Sequence, residues 1–236
     1  MDTTFDIKVL NELIKNLPAQ EALEKMAGLF GDKLTFATSL GAEDQVITYM
    51  LSQISRPVSI FMLDTGRMFP ETYDLLHRTV NRYGMPIKTY YPDTGKVEEM
   101  VNQRGINLFF ESIENRKLCC HIRKIVPLRR ALQGKEAWIT GLRRSQSVTR
   151  ENMDFVEWDT SNGLIKINPL LEWNEEQIRE FIHTRNIPYN PLHDQGFPSI
   201  GCQPCTRAIG KGEGLRDGRW WWELPDSKEC GLHTKH

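Results

Sequence analysis

Leu34-Thr35-Phe36-Ala37-Thr38-Ser39-Leu40-Gly41-Ala42-Glu43-Asp44 reads as a short apolar strand, a Ser/Gly turn and the entry to a helix over 45–51. The order strand, tight turn, helix N-terminus decides the fold. The first N–H groups of such a helix lack partners and point at the turn, which makes an anion cradle. Turn geometry alone also explains a serine and a glycine here, and both readings stand at this point. A second unit of the same kind follows. Val58-Ser59-Ile60-Phe61-Met62-Leu63 is nearly continuously apolar, as a parallel strand buried on both faces must be. It ends at Asp64-Thr65-Gly66-Arg67, a polar turn at the strand's carboxyl end, where open α/β sheets place ligands. Pro70 then opens a helix over 71–83. Ile87-Lys88-Thr89-Tyr90-Tyr91 and Ala137-Trp138-Ile139-Thr140-Gly141-Leu142 are further strands. This alternation predicts a doubly wound, mostly parallel α/β sheet.

Outside these units the chain is plainer. Residues 5–30 have helical periodicity broken at Pro18, and residues 153–171 read as a hairpin turning at Ser161-Asn162-Gly163. A helix is expected over 173–185 and loop from Ile187 onward. The 236 residues, 39% of them hydrophobic, suffice for one large domain. No apolar run reaches membrane-spanning length and the N-terminus has no signal-peptide pattern, so no membrane association and a cytoplasmic location are expected. The net charge of −1 is unevenly spread. Between 116 and 150, ten lysines and arginines face Glu136 alone, whereas 151–198 is acidic. The basic block suits an anion site or a nucleic-acid patch, and a solvated helix face explains it as well.

The five cysteines carry the most chemistry. Cys119 and Cys120 are adjacent, and adjacent Cα atoms lie about 3.8 Å apart, closer than the roughly 4.4–6.8 Å that disulfides prefer. If Leu118, Ile122 and Ile125 mark a helix, the two thiols diverge by about 100° and suit a large inorganic body better than one small ion. Cys202-Gln203-Pro204-Cys205 supplies a second pair. An all-sulfur site suits iron–sulfur or zinc, in a reducing compartment. Cys230 is left over, near Lys228 and His233. It reads either as a thiolate nucleophile whose pKa cationic neighbours lower or as an idle surface thiol.

Taken together, Cys119-Cys120, Cys202-Gln203-Pro204-Cys205 and the terminal Glu229-Cys230-Gly231-Leu232-His233 resemble the assimilatory adenylyl-sulfate (APS) and phosphoadenylyl-sulfate (PAPS) reductases, iron–sulfur type. The resemblance covers essentially the whole chain. It implies an adenine-nucleotide alpha-hydrolase-like fold with a modified pyrophosphate loop at Ser39, Leu40 and Gly41, and an adenylate-side loop at Leu63, Asp64, Thr65 and Gly66. It further implies one 4Fe-4S cluster on Cys119, Cys120, Cys202 and Cys205, and a sulfate pocket of Lys124, Arg143 or Arg144, Arg216, Arg219 and His233. Cys230 is implied as the nucleophile: its thiolate attacks the sulfur, AMP leaves, and an S-sulfocysteine remains. With no fifth paired thiol to resolve it, thioredoxin or glutaredoxin is implied as reductant. The organisation expected is a nucleotide-binding domain over 1–217 and a mobile tail over 218–236. Substrate choice between APS and PAPS, and a homo-oligomer, stay open; no nucleic acid is expected.

Three rivals remain. An ATP-pyrophosphatase-type tRNA-thiolating enzyme normally reads Ser-Gly-Gly-x-Asp-Ser where this chain has Ser39-Leu40-Gly41-Ala42-Glu43-Asp44. A cluster-bearing redox sensor would make Cys230 incidental. A zinc-only site would leave the protein colourless.

Overall fold

The structure, a computed structural model, describes residues 5–146, 150 and 152–224. Its centre is a six-stranded sheet of β1 (Leu34–Thr38), β2 (Ser59–Leu63), β3 (Ile87–Tyr90), β4 (Ala137–Ile139), β5 (Val156–Asp159) and β6 (Leu164–Ile167), in the order β3-β2-β1-β4-β6-β5. Every pairing is parallel except β5 with β6, which form the expected hairpin and put an antiparallel strand at one edge. The strands whose sequences are continuously apolar are the inner ones. All three residues of β4 are buried, as are Leu34 and Phe36 of β1.

Helices cover both faces. On one, α1 (Ile7–Ile14), α2 (Ala19–Phe30), α3 (Ala42–Gln53) and α8 (Glu175–Thr184) bury Leu23, Met26, Ile47 and Ile178 against Phe36 and Ile139. On the other, α7 (Val126–Leu132) packs Leu128 and Leu132 against Phe61 and Trp138. Two further helices, α4 (Pro70–Tyr83) and α5 (Thr94–Arg104), flank β3 in sequence. The exposed edge is closed by a side chain. Asn11 of α1 donates through Nδ2 to the Val156 carbonyl (2.6 Å) and accepts from the Val156 N–H (2.9 Å), so β5 offers neighbours no free ladder there.

The double cysteine ends α6 (Ile113–Cys120), and His121–Ile125 continues it as one π-helical turn before α7. Widened turns of this kind frequently mark functional sites. Beyond Ile187 the chain is mostly irregular, with 3-10 turns at Pro191–Gln195 and Gln203–Cys205. The expected tail boundary at 218 falls inside packed structure: Thr206 bridges Arg219, and Trp220 is fully buried.

Candidate functional site

The strand order reverses at β1: β2 and β3 are added on one side, β4 on the other. Open α/β sheets bind ligands outside the carboxyl ends of strands at such a switch point. A cavity of about 290 Å³ lies there. Ser39 and Gly41 after β1, Leu63 at the end of β2 and Thr65 after it, and Gly141 and Arg143 after β4 line it. The loops after β1 and β4 approach so closely that a Cβ at Gly141 would collide with Asp44 Oδ1. Gly41 begins α3 with no side-chain cap, leaving the first N–H groups of α3 uncapped beside the cavity.

Leu40 carries φ of 60°, a left-handed conformation that costs a leucine about 1–3 kcal/mol and persists only where surroundings impose it. Its side chain is buried beside Met62 and Leu75, and its N–H donates to Thr38 Oγ1 (3.0 Å). Asp44 is buried and accepts from the Ser39 N–H (2.5 Å) and hydroxyl (2.7 Å). Burial pushes its carboxyl up to about 6, against the opposing effect of the Ser39 bonds. Asp64 and Gly66 shape the second turn without lining the cavity: Asp64 Oδ1 accepts from the Gly66 N–H (2.7 Å) and the Tyr73 hydroxyl (3.0 Å).

Six lysines and arginines line the cavity, of which Arg179 is paired with Glu175 on its own helix. Lys124 comes from the π turn, Arg150 from the segment after β4, and Arg216 and Arg219 from one tight turn in which the Arg219 N–H donates to the Arg216 carbonyl (2.9 Å). Arg150 belongs to the basic block visible in the sequence, but no motif singled it out. Arg143 also lines the cavity, yet its guanidinium is held by Glu43 through Nε (2.8 Å) and Nη2 (2.7 Å). Arg144 lies outside the lining, bound to Glu172 and the Met153 carbonyl. Cys230 and His233 lie outside the described residues.

Behind the cavity the four paired cysteines gather in one apolar cluster with Met100, Leu108, Phe109 and Trp220. All four are free thiols. Burial pushes the Cys119 thiol up and the Cys205 thiol up to about 12, with Arg123 opposing at Cys119 and Lys124 and Arg219 at Cys205. Such thiols become thiolates only when a cationic centre binds them. Thr65 Oγ1 lies 3.2 Å from Cys202 Sγ, and Arg123, beside Cys119, donates to the Thr65 carbonyl (2.6 Å), so the turn after β2 is tied to both cysteine pairs. Two buried N–H groups here, Arg123 Nε and Trp220 Nε1, have no hydrogen-bond partner among the described residues. Orphan donors beside four thiols fit an acceptor-rich sulfide body.

Residues 33–208 match the family model described as the phosphoadenosine phosphosulfate reductase domain. Over 204 residues the chain is 51% identical to adenosine 5'-phosphosulfate reductase from Allochromatium vinosum, covering 86% of this chain and 80% of that protein. The protein of the same name from Agrobacterium fabrum is 47% identical over 233 residues, 99% of this chain and 89% of its own length. Among solved structures, a phosphoadenylyl-sulfate reductase from Candida auris in complex with phosphate superposes with a TM-score of 0.73 at 32% identity, covering 86% of this chain and 96% of that one. Yeast FAD synthetase shares the fold alone, with a TM-score of 0.56 at 17% identity over 88% of this chain and 70% of its own.

Proposed function

The chain belongs to the phosphoadenosine phosphosulfate reductase domain family, and on that premise we infer that it reduces adenylyl sulfate to sulfite and AMP in sulfate assimilation. The observation that carries this reading is one cavity. Two strand-end loops suited to a nucleotide phosphate and the cations Lys124, Arg150, Arg216 and Arg219 meet in it, with the four cysteines behind.

In this reading the nucleotide's phosphate lies against Gly41 and the first N–H groups of α3, with Ser39 turned toward it. The adenosine lies near Leu63 and Thr65. Lys124, Arg216 and Arg219 face the sulfonate and offset the charge that develops as its bridging oxygen departs. The Cys230 thiolate attacks sulfur; the S–S bond forms, the S–O bond to the phosphate breaks, and AMP leaves with the electron pair. A dithiol reductant of the thioredoxin or glutaredoxin type then attacks the Cys230 sulfur, takes over the disulfide and releases sulfite. Two electrons thus pass from dithiol to sulfonate. His233 joins the sulfonate pocket.

Cys119, Cys120, Cys202 and Cys205 would hold a 4Fe-4S cluster, whose chemistry here is to place positive iron and polarisable sulfide beside the sulfonate pocket. Arg123 acts on the Cys119 thiol, and Lys124 acts on the Cys205 thiol while lining the cavity, so Lys124 would couple the charge of that site to the sulfonate pocket. Cysteine pairs kept reduced fit a cytoplasmic location. Nucleotide preference follows from an assay of sulfite release with APS and PAPS side by side and reduced thioredoxin supplied. Turnover of APS supports the reading; turnover of neither nucleotide overturns it, and tRNA thiolation in its place would establish the pyrophosphatase alternative.

A further inference from the structure

Glu43 and Gln146 come from the two loops that meet at the switch point, and one Glu43 oxygen ties those loops together. Glu43 stands in the first turn of α3, and its Oε1 accepts from Arg143 Nε and Nη2 and from Gln146 Nε2 (2.9 Å). Gln146 ends the 3-10 turn Arg144–Gln146. A carboxylate oxygen only accepts, so the amide must turn its NH2 toward Glu43. Its carbonyl oxygen is left to accept from the Arg143 N–H (3.2 Å) and from the Arg150 guanidinium through Nη1. A flipped amide would set oxygen against carboxylate and NH2 against N–H, so one orientation alone satisfies the network. Arg143 balances the charge of Glu43, and the neutral amide orients Arg150 without cancelling its charge. Arg150 is 7% exposed and lines the cavity together with Glu43 and Gln146. It therefore belongs to the wall built by the loops after β1 and β4, whereas Lys124, Arg216 and Arg219 arrive from the π turn and the 216–219 turn.

We propose that Gln146 is a positioning residue that aims the Arg150 guanidinium at the nucleotide's phosphate. The proposal deepens the reading above and rests on it, since there the phosphate lies against Gly41 and the first N–H groups of α3, the turn to which Glu43 belongs. A guanidinium fork suits phosphate oxygens, but its flexible stem lets it point in many directions. An acceptor held in place on one arm restricts where the other arm points. Glu43 holds that acceptor in place, and Gln146 passes the orientation on. Gln146 touches no reacting atom in this scheme. Removing its amide leaves Arg150 present but unaimed, and removing Arg150 leaves the amide nothing to aim. The two losses therefore do not add.

The test uses the full-length protein carrying its cluster, as wild type, Gln146→Met, Arg150→Ala and the double variant, with Gln146→Ala in reserve should Gln146→Met fail to fold. Binding of AMP, and of adenosine, which lacks the phosphate, is measured for each by calorimetric titration. Arg150→Ala should weaken AMP binding by about tenfold or more, and Gln146→Met by about threefold or more. Adenosine affinity should stay within about twofold of wild type throughout, a contrast that a merely structural role would not produce. The double variant should bind AMP within about twofold of Arg150→Ala alone. A smaller fall in either single variant overturns the proposal. Adenosine affinity falling in step with AMP overturns it too, by making Gln146 a plain loop support, and so does a double variant in which the two losses multiply. A wild type that binds AMP no more tightly than adenosine would fail the phosphate site of the proposed function itself, and that outcome is read before any variant is compared.

Discussion

Arg219 is the side chain whose loss most clearly separates function from stability. It is 7% exposed, yet among the described residues its guanidinium makes one long hydrogen bond, Nη1 to the Ile200 carbonyl at 3.5 Å, and its buried Nε finds no partner there. Gly201 leaves it room, since a Cβ there would collide with the guanidinium. A cation desolvated with so few partners costs the folded protein free energy that a sulfonate in the cavity would recover. Arg219→Ala removes one or more charge-assisted bonds to that sulfonate, about 1.5–3 kcal/mol, or roughly 10- to 150-fold in kcat/KM. Stability moves little, because the lost ring contact, about 2 kcal/mol for a desolvated cation, is offset by relief of desolvation. Tm should stay within about 4 °C of wild type. Arg116, buried against Glu223, is the contrast: cutting it to alanine strands a carboxylate and costs about 3–5 kcal/mol. The assay is kcat/KM for APS at saturating reduced thioredoxin, with thermal unfolding of the same samples. A kcat/KM within threefold of wild type, or a lost activity accompanied by a collapsed Tm, refutes the reasoning.

Cys119→Ser and Cys202→Ser should each abolish iron and acid-labile sulfide in anaerobically purified protein; stoichiometric zinc without sulfide in the wild type would contradict the cluster assignment. Asp44, with a carboxyl raised from 3.8 to about 6, binds its proton more tightly when folded, so its contribution to stability is greatest below pH 4 and is lost as pH rises through 6. The gap corresponds to about 3 kcal/mol. Asp44→Asn should therefore raise Tm more at pH 8 than at pH 5 while weakening AMP binding, and an equal shift at both pH values would show that the buried carboxyl is not the cause. Gly141→Ala should weaken AMP binding at least tenfold by driving apart the loops after β1 and β4, and unchanged affinity would show that their close approach is dispensable.

The βα units and the hairpin were legible because continuous apolar strands and turn residues are local signals. The strand order was not. That β4 lies beside β1 depends on helices from both halves of the chain packing on opposite faces, which no local pattern states. The same limit governs the site. Ser39, Gly41, Leu63, Thr65, Lys124, Arg216 and Arg219 line one cavity, while Leu40, Asp64 and Gly66 shape the loops from behind. Adjacent arginines looked equivalent in sequence, but Arg143 turns inward to Glu43 and Arg144 outward to Glu172. Arg123 and the Arg116–Glu223 pair were missed because each gains meaning only from a partner far along the chain, as Glu223 does 107 residues from Arg116.

The central claim, thiol attack on the sulfur of APS, meets its most direct test in the mass of the protein after one turnover. Enzyme mixed with APS and no reductant should release one AMP per chain and gain one SO3 group on the peptide containing Cys230. Reduced thioredoxin should then discharge that group as sulfite. Cys230→Ser should keep its iron and bind AMP yet gain no mass, because a hydroxyl is almost wholly protonated at neutral pH and attacks sulfur poorly. Turnover by the serine variant, or an SO3 group found on any other residue, would contradict the account.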